Sequence, residues 1–484
     1  MRKLTTKIQM LTIGAFLLAV TAAQASFTVP VSHSTGAIHF AWVGDLNGDG
    51  KPDYVIDRNT TNPQTIEAYT DKGVFLWSVN FGPNSANQDN ISPGSATIDV
   101  GHNDGVTVYD LNGDGKAEVI IKFANGTKFG NGVTFSNSDN NNQWIGVLNG
   151  ATGALLASCQ LPTDYKSAAG PLACRLVCGN AGIFSFMKNR NADKSFNCVV
   201  ACYSWNGSSS LTQKWKWLRG SQNCPDGHNS RSCDVNGDGV DDFCEIGFVL
   251  NGTNGSLLYS LGSTGGVVHG DRWHIAKMDS SRTGLQGYGI QQSNPSGLID
   301  YYYDARNGSM IWKHSGAVQD WARGDVGDID GSKAGYEVWT FNGVWNAKTN
   351  TQLCPANTEP WPSLRLWWDT DDLAESYNDG KIEKYNPSST SSSRRVTQLY
   401  KITDYASDAV TEDRGAPLFY GDFLGDWREE IIVHNSANTK LYVLTPSGTP
   451  QTSRANLWND RYYRNCLSAK GYMQSHHVSF YLGK

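Results

Sequence analysis

Residues 110–118 read DLNGDGKAE. Asp110, Asn112 and Asp114 place side-chain oxygens at loop positions one, three and five, and Glu118 returns a carboxylate after the turn. Gly115 supplies the residue that takes a positive φ at least cost where the chain must turn sharply. Hard oxygen donors this closely spaced suit Ca2+, which takes about six to eight of them. The phrase recurs as DLNGDGKPD, with Asp45, Asn47, Asp49 and Asp53, and as DVNGDGVDD, with Asp234, Asn236, Asp238 and Asp242. One copy reads equally well as a solvated Asp/Asn/Gly turn. Three copies at one spacing read as calcium loops.

The flanks decide what the loops join. HFAWVG and YVIDR surround the first, GVTVY and VIIKF the second, and FCEIG follows the third. These runs are short, β-branched and aromatic, so the loops connect strands. A second phrase repeats as VLNGATGALL, VLNGTNGSLL and YDARNGSMIW, each a strand, an Asn-Gly-type hairpin and a strand. Hairpins and Asp-rich loops at recurring intervals mark a repeat architecture. A large all-β chain built from four-stranded units is best read as a β-propeller with calcium-binding loops. Residues 369–386 are expected to hold a short helix, and PSSTSSSRR, 387–395, a surface loop.

The chain opens with positive charge, a short apolar run and the small-residue triplet Ala23-Gln24-Ala25. This predicts a signal peptide over 1–25, cleaved before Ser26. The apolar run is short for a membrane span. The expectation is an exported, extracellular, monomeric protein with no membrane partner, and a single propeller domain over 26–484. Ten cysteines fit that compartment and are expected mainly as disulfides. The formal charge is -6, and loss of Arg2, Lys3 and Lys7 with the leader makes it more negative still. That excludes nucleic acid as the natural partner.

His228 lies just before the third Asp-rich loop, and His269, Asp271, His274 and Asp279 follow it in VVHGDRWHIAKMD. His269 and Asp271, two apart, share a side if extended. They are expected to meet one metal, with His228 joining from a neighbouring loop. Imidazole is an unusual partner for Ca2+, so residue types alone leave Zn2+ and Mn2+ open. Acid-rich turns beside Trp and Tyr fit carbohydrate handling, although most of the 16 Trp serve to fill contacts between sheets.

The ordered series GDLNGDG, VYDLNGDGKAEVIIKFANGTKFG, DVNGDG, HGDRWH, DIDGSKAGYEVW, LWWD, GDFLGDWREE and QSHHVSFYLG resembles polysaccharide lyase family eleven, the rhamnogalacturonan lyases, from about Trp42 to Gly483. The resemblance implies an eight-bladed β-propeller, several Ca2+ ions, and β-elimination in the rhamnose–galacturonate backbone of pectin, an acidic polysaccharide. It implies His228, His269 and Asp271 as metal ligands, Tyr472 and Arg414 as catalytic and substrate-binding residues, and Lys128 as a further substrate contact. The sequence departs from the family pattern in three places. Gln292 stands where a glutamate ligand is expected, and Arg414 where a lysine is expected. Thr411-Glu412-Asp413 replaces a sugar-contacting Asn-Gly-Thr. Two other readings stay open here: a lyase of another rhamnose–uronate polysaccharide, and a non-catalytic carbohydrate-binding propeller.

Overall fold

Antiparallel four-stranded sheets follow one another along the chain in the computed structural model. The structure describes residues 25–58, 63–83, 105–139, 142–165, 173–191, 193, 195–321, 323–412, 415–470, 478–480 and 482. The first blade holds Ala41–Gly44, Asp53–Arg58, Thr65–Tyr69 and Phe75–Asn80. Blades two to seven span 106–160, 173–218, 231–260, 273–315, 324–354 and 364–401. The eighth is built from Phe419–Gly421, Glu430–Asn435 and Lys440–Leu444, and its outer strand is the N-terminal Phe27–Pro30. That last pairing closes the ring, because two distant parts of the chain share one sheet. First strands of adjacent blades touch one another and therefore line the axis. The result is an eight-bladed β-propeller.

The Asp-rich loops join first to second strands. Asp53, Glu118 and Asp242 close them by accepting the backbone N–H groups of Leu46, Leu111 and Val235. The same closure recurs without the sequence phrase: Gln286 accepts from Met278, Glu337 from Ile329, Glu375 from Trp368 and Glu430 from Phe423. The third blade instead turns tightly through Asn180 and Ala181 between Gly179 and Gly182.

A C-terminal helix, Arg461–Ser468, sits on the axis, with the Asp460 side chain capping its first N–H groups. Thr107 donates to its Ser468 carbonyl at 2.7 Å, and the Cys178 N–H donates to Ser468 Oγ at 3.0 Å. Asn465 donates to the Ser232 carbonyl and Tyr462 to that of Ile275. One helix thus ties together the first strands of four blades.

Two expectations are corrected. Residues 369–386 hold a hairpin, not a helix: Glu375–Asn378 and Lys381–Tyr385 pair around Asp379 and Gly380, with φ of 46° and 76°. Two consecutive positive φ values make the tight turn whose twist matches paired strands. The cysteines are all free thiols, nine of them buried. Cys174 and Cys178 lie on one strand and Cys198 and Cys202 on another, with Gly182–Arg190 between them. Cys233 and Cys244 pair in register with Asp242 and Arg231, and their sulfurs, though in contact, are 3.7 Å apart, beyond bonding distance. These side chains pack as small hydrophobes. Most of 387–395 is exposed, as a surface loop should be. Among the described residues no helix is long and apolar enough to cross a membrane.

Candidate functional site

In each blade, the connection into the first strand and the one between the second and third strands lie at the same end of the axis. The Asp-rich loops lie at the other end. His228 precedes the first strand of blade four, and His269 and Asp271 precede that of blade five. Lys128 lies between the second and third strands of blade two, with its backbone paired to Asn80 and its side chain exposed. The histidine group and Lys128 therefore share an end, opposite to all three D-x-N-x-D-G loops.

His228, His269 and Asp271 converge so that one ligand atom from each lies within 4.8 Å of the others. The two Nε2 atoms are 3.2 Å apart, and Asp271 Oδ1 lies 3.4 Å from His228 Nε2 and 3.8 Å from His269 Nε2. His269 Nδ1 lies 2.7 Å from the Asp226 carbonyl. A carbonyl only accepts, so Nδ1 carries the hydrogen and the Nε2 lone pair is aimed at His228 and Asp271. Burial opposes ionisation of the Asp226 side chain, but Lys188 and Arg219 outweigh it and hold the carboxyl at about 2. Two imidazoles and a buried carboxylate with converging lone pairs are a donor set for a divalent cation. Gln292 adjoins this group: its N–H donates to the His269 carbonyl at 3.2 Å, and its side chain donates to Asp320 at 2.8 Å. It brings no carboxylate.

The Asp-rich loops are held by their own backbone. Asp45, Asp110 and Asp234 accept from the N–H groups of Gly48 and Gly50, Gly113 and Gly115, and Gly237 and Gly239. Gly50, Gly115 and Gly239 have φ of 79°, 86° and 87°. Burial, then the repulsion of two loop aspartates, pushes Asp53 up to about 6, Glu118 to about 7 and Asp242 to about 6. A divalent cation would relieve that repulsion, so the residues fit Ca2+.

Blade seven solves the same problem differently. Asp369, Asp371 and Glu375 also converge within 4.8 Å. The Lys384 ammonium sits among them, donating to Asp369 and, at 2.8 Å, to Asp371, with Glu375 at 3.1 Å. Burial opposes its charge, yet Glu375 and the two aspartates push Lys384 well above the ordinary ammonium range. Sequence reasoning missed this internal cation, which comes from the partner strand of the hairpin.

A family model described as rhamnogalacturonan lyase family 11, C-terminal domain, matches residues 26–170 and 193–484. The chain belongs to that rhamnogalacturonan lyase family. It is 27% identical over 498 residues to the rhamnogalacturonan endolyase YesW of Bacillus subtilis (strain 168), covering 94% of this chain and 75% of the relative. It is 28% identical over 501 residues to the rhamnogalacturonan exolyase YesX of the same organism, covering 92% and 77%. A solved Bacillus licheniformis rhamnogalacturonan lyase aligns with a TM-score of 0.81 at 25% identity, over 95% of this chain and 82% of that one.

Within this lyase family fold, Arg414 and Tyr472 lie outside the described residues. So do residues 1–24 of the segment expected as a signal peptide. Glu412, just before Arg414, is described and half-buried, and it lies at the same end of the axis as His228.

Proposed function

We propose that the chain is an exported lyase that cleaves the rhamnose–galacturonate backbone of rhamnogalacturonan I by metal-assisted β-elimination. The observation that carries this reading is the convergence of His228, His269 and Asp271 at one mouth of the axis, in a chain of the rhamnogalacturonan lyase family.

The reaction removes the C5 proton, α to a carboxylate, and expels the C4 oxygen. It needs positive charge on the carboxylate, a base at C5 and a proton for the leaving oxygen. A divalent cation held by His228, His269 and Asp271 would supply charge for a uronate carboxylate. Arg414 keeps its proton under ordinary conditions, which suits a bidentate clamp on a carboxylate better than a base. Tyr472 is neutral near pH 7 and suits proton donation to the leaving oxygen. In galacturonate the departing proton and oxygen lie on opposite ring faces, so base and acid are different groups. Lys128, exposed at the same end, adds positive charge for an anionic polymer. Ca2+ in the three Asp-rich loops would serve the fold, since they lie at the far end.

The test is a substrate panel read by the ultraviolet absorbance of an unsaturated uronate. Rhamnogalacturonan should give the chromophore, and homogalacturonan and a glucuronate-bearing gum should not. A faster reaction on the gum would overturn the substrate, and tight binding without chromophore on any polymer would overturn the chemistry.

A further inference from the structure

Residues 226–230, DGHNS, reach all three members of the histidine group. His228 lies within them. The Asp226 carbonyl takes the Nδ1 hydrogen of His269 at 2.7 Å. The Asn229 amide donates to the Asp271 carbonyl at 2.9 Å. The loop also presses against the segment that carries the other two ligands: a Cβ added at Gly227 would lie 2.6 Å from the Gly270 carbonyl oxygen. No larger residue fits that approach. How this one loop is seated therefore sets where the three donor atoms converge.

The seat is a buried carboxylate. Glu245 ends the second strand of blade four, Asp242–Glu245, and is out of solvent. Its Oε1 accepts the N–H groups of Gly227 at 3.2 Å and Ile246 at 3.0 Å. Its Oε2 accepts from the Ser230 hydroxyl at 3.1 Å and from Arg175 Nη2 at 3.1 Å. Two donors on each oxygen suit an ionised carboxylate. Gly227 and Ser230 flank His228, so Glu245 grips the loop on both sides of that ligand. Arg175, on the first strand of blade three, also donates to the Gly227 carbonyl at 3.1 Å. Blade three holds the start of the loop as well: Arg219 donates to Asp226 Oδ1 at 2.8 Å and Lys188 to Oδ2 at 3.4 Å. A buried ion pair often stabilises a fold no more than an apolar pair of the same volume. What this one adds is direction, since its bonds hold the loop in a single seat.

We propose that Glu245, braced by Arg175, is a positioning residue that sets the affinity of the histidine group for a divalent cation; this rests on the metal-assisted reading above. It acts through Gly227 and Ser230, not by touching the cation or the sugar. Groups behind metal ligands commonly tune affinity by about 10- to 100-fold. A loosened loop releases the Asp226 carbonyl from His269. The imidazole is then free to carry its hydrogen on Nε2, where it cannot ligate.

The test titrates metal-free wild type, Glu245→Gln and Ser230→Ala with Zn2+ by calorimetry. Excess Ca2+ is present to fill the Asp-rich loops, melting temperatures are recorded, and His269→Ala is the control. Glutamine keeps the shape but replaces one accepting oxygen with an amide nitrogen that cannot accept. Glu245→Gln should weaken Zn2+ binding by at least about 10-fold and turn the nitrogen-15 signals of His269 from one tautomer into a mixture. A smaller loss of affinity, even with a lower melting temperature, means a purely structural role and overturns the proposal. Should Glu245→Gln fail to fold, Ser230→Ala decides, because it removes one tie and leaves the carboxylate. It should weaken Zn2+ binding by about threefold or more, and an unchanged affinity overturns the proposal. Zn2+ binding that survives His269→Ala overturns the metal reading and this inference with it. A wild type that binds Zn2+ but forms no chromophore on rhamnogalacturonan overturns the lyase reading alone.

Discussion

Metal-free protein should lose stability as pH rises, and Ca2+ should remove that loss. The acids that close the three loops are raised to about 6, about 7 and about 6 from 3.8, 4.5 and 3.8, first by burial and then by the loop aspartates. Because their folded values are raised, their contribution is fully present below about pH 4 and is lost as pH climbs through the window of about 6 to 7. At about 1.4 kcal/mol per pH unit, each loop loses up to roughly 3 kcal/mol. Solvent screening in a surface loop roughly halves this, leaving about 4–5 kcal/mol for three loops. Unfolding entropy scales with length, so a chain of 484 residues changes melting temperature by about 1 °C per kcal/mol. The assay is the melting temperature between about pH 4 and pH 8, with verified metal-free protein and with excess Ca2+. Other buried acids titrate in both samples, so the difference between the curves isolates the bound cations. The metal-free curve should fall about 4–5 °C further than the Ca2+ curve. Coincident curves would show that the Asp-rich loops are turns that hold no metal.

Three further outcomes follow from the same geometry. Lys384→Met leaves Asp369, Asp371 and Glu375 facing one another, so it should cost about 2–3 kcal/mol in chemical denaturation, with Ca2+ restoring part of the loss; an unchanged midpoint refutes the internal-cation account. His269→Ala and Asp271→Ala should each abolish most turnover while the fold persists, and the double variant should lose little more; fully additive losses in kcat would mean separate sites. Tyr472→Phe should lower kcat about 100-fold or more with little change in melting temperature, whereas Arg414→Lys should keep much of the rate and Arg414→Ala should not; near-normal elimination by Tyr472→Phe removes Tyr472 from the acid role.

The propeller was legible because its loop phrase and hairpin phrase repeat with their spacing intact. The loops of blades five to eight kept the closing bond, through Gln286, Glu337, Glu375 and Glu430, but lost the D-x-N-x-D-G phrase that announces it. Lys384 was invisible because its partners precede it across a turn that reads as helix until Asp379 and Gly380 are seen at positive φ. His269 and Asp271 betrayed themselves by their two-residue spacing. His228 reaches them because blades four and five are neighbours. The cysteines misled because composition reports a compartment, while pairing depends on which strands adjoin. The C-terminal helix escaped notice because Arg461–Ser468 is only eight residues long, too short for its periodicity to stand out.

The central claim is elimination, and the most direct measurement is the product end formed from purified rhamnogalacturonan. The account predicts an absorbing unsaturated uronate at each new non-reducing end, one for every new reducing end, with both suppressed by chelation and restored by Ca2+. New reducing ends that appear without the unsaturated uronate would mean hydrolysis and would contradict it.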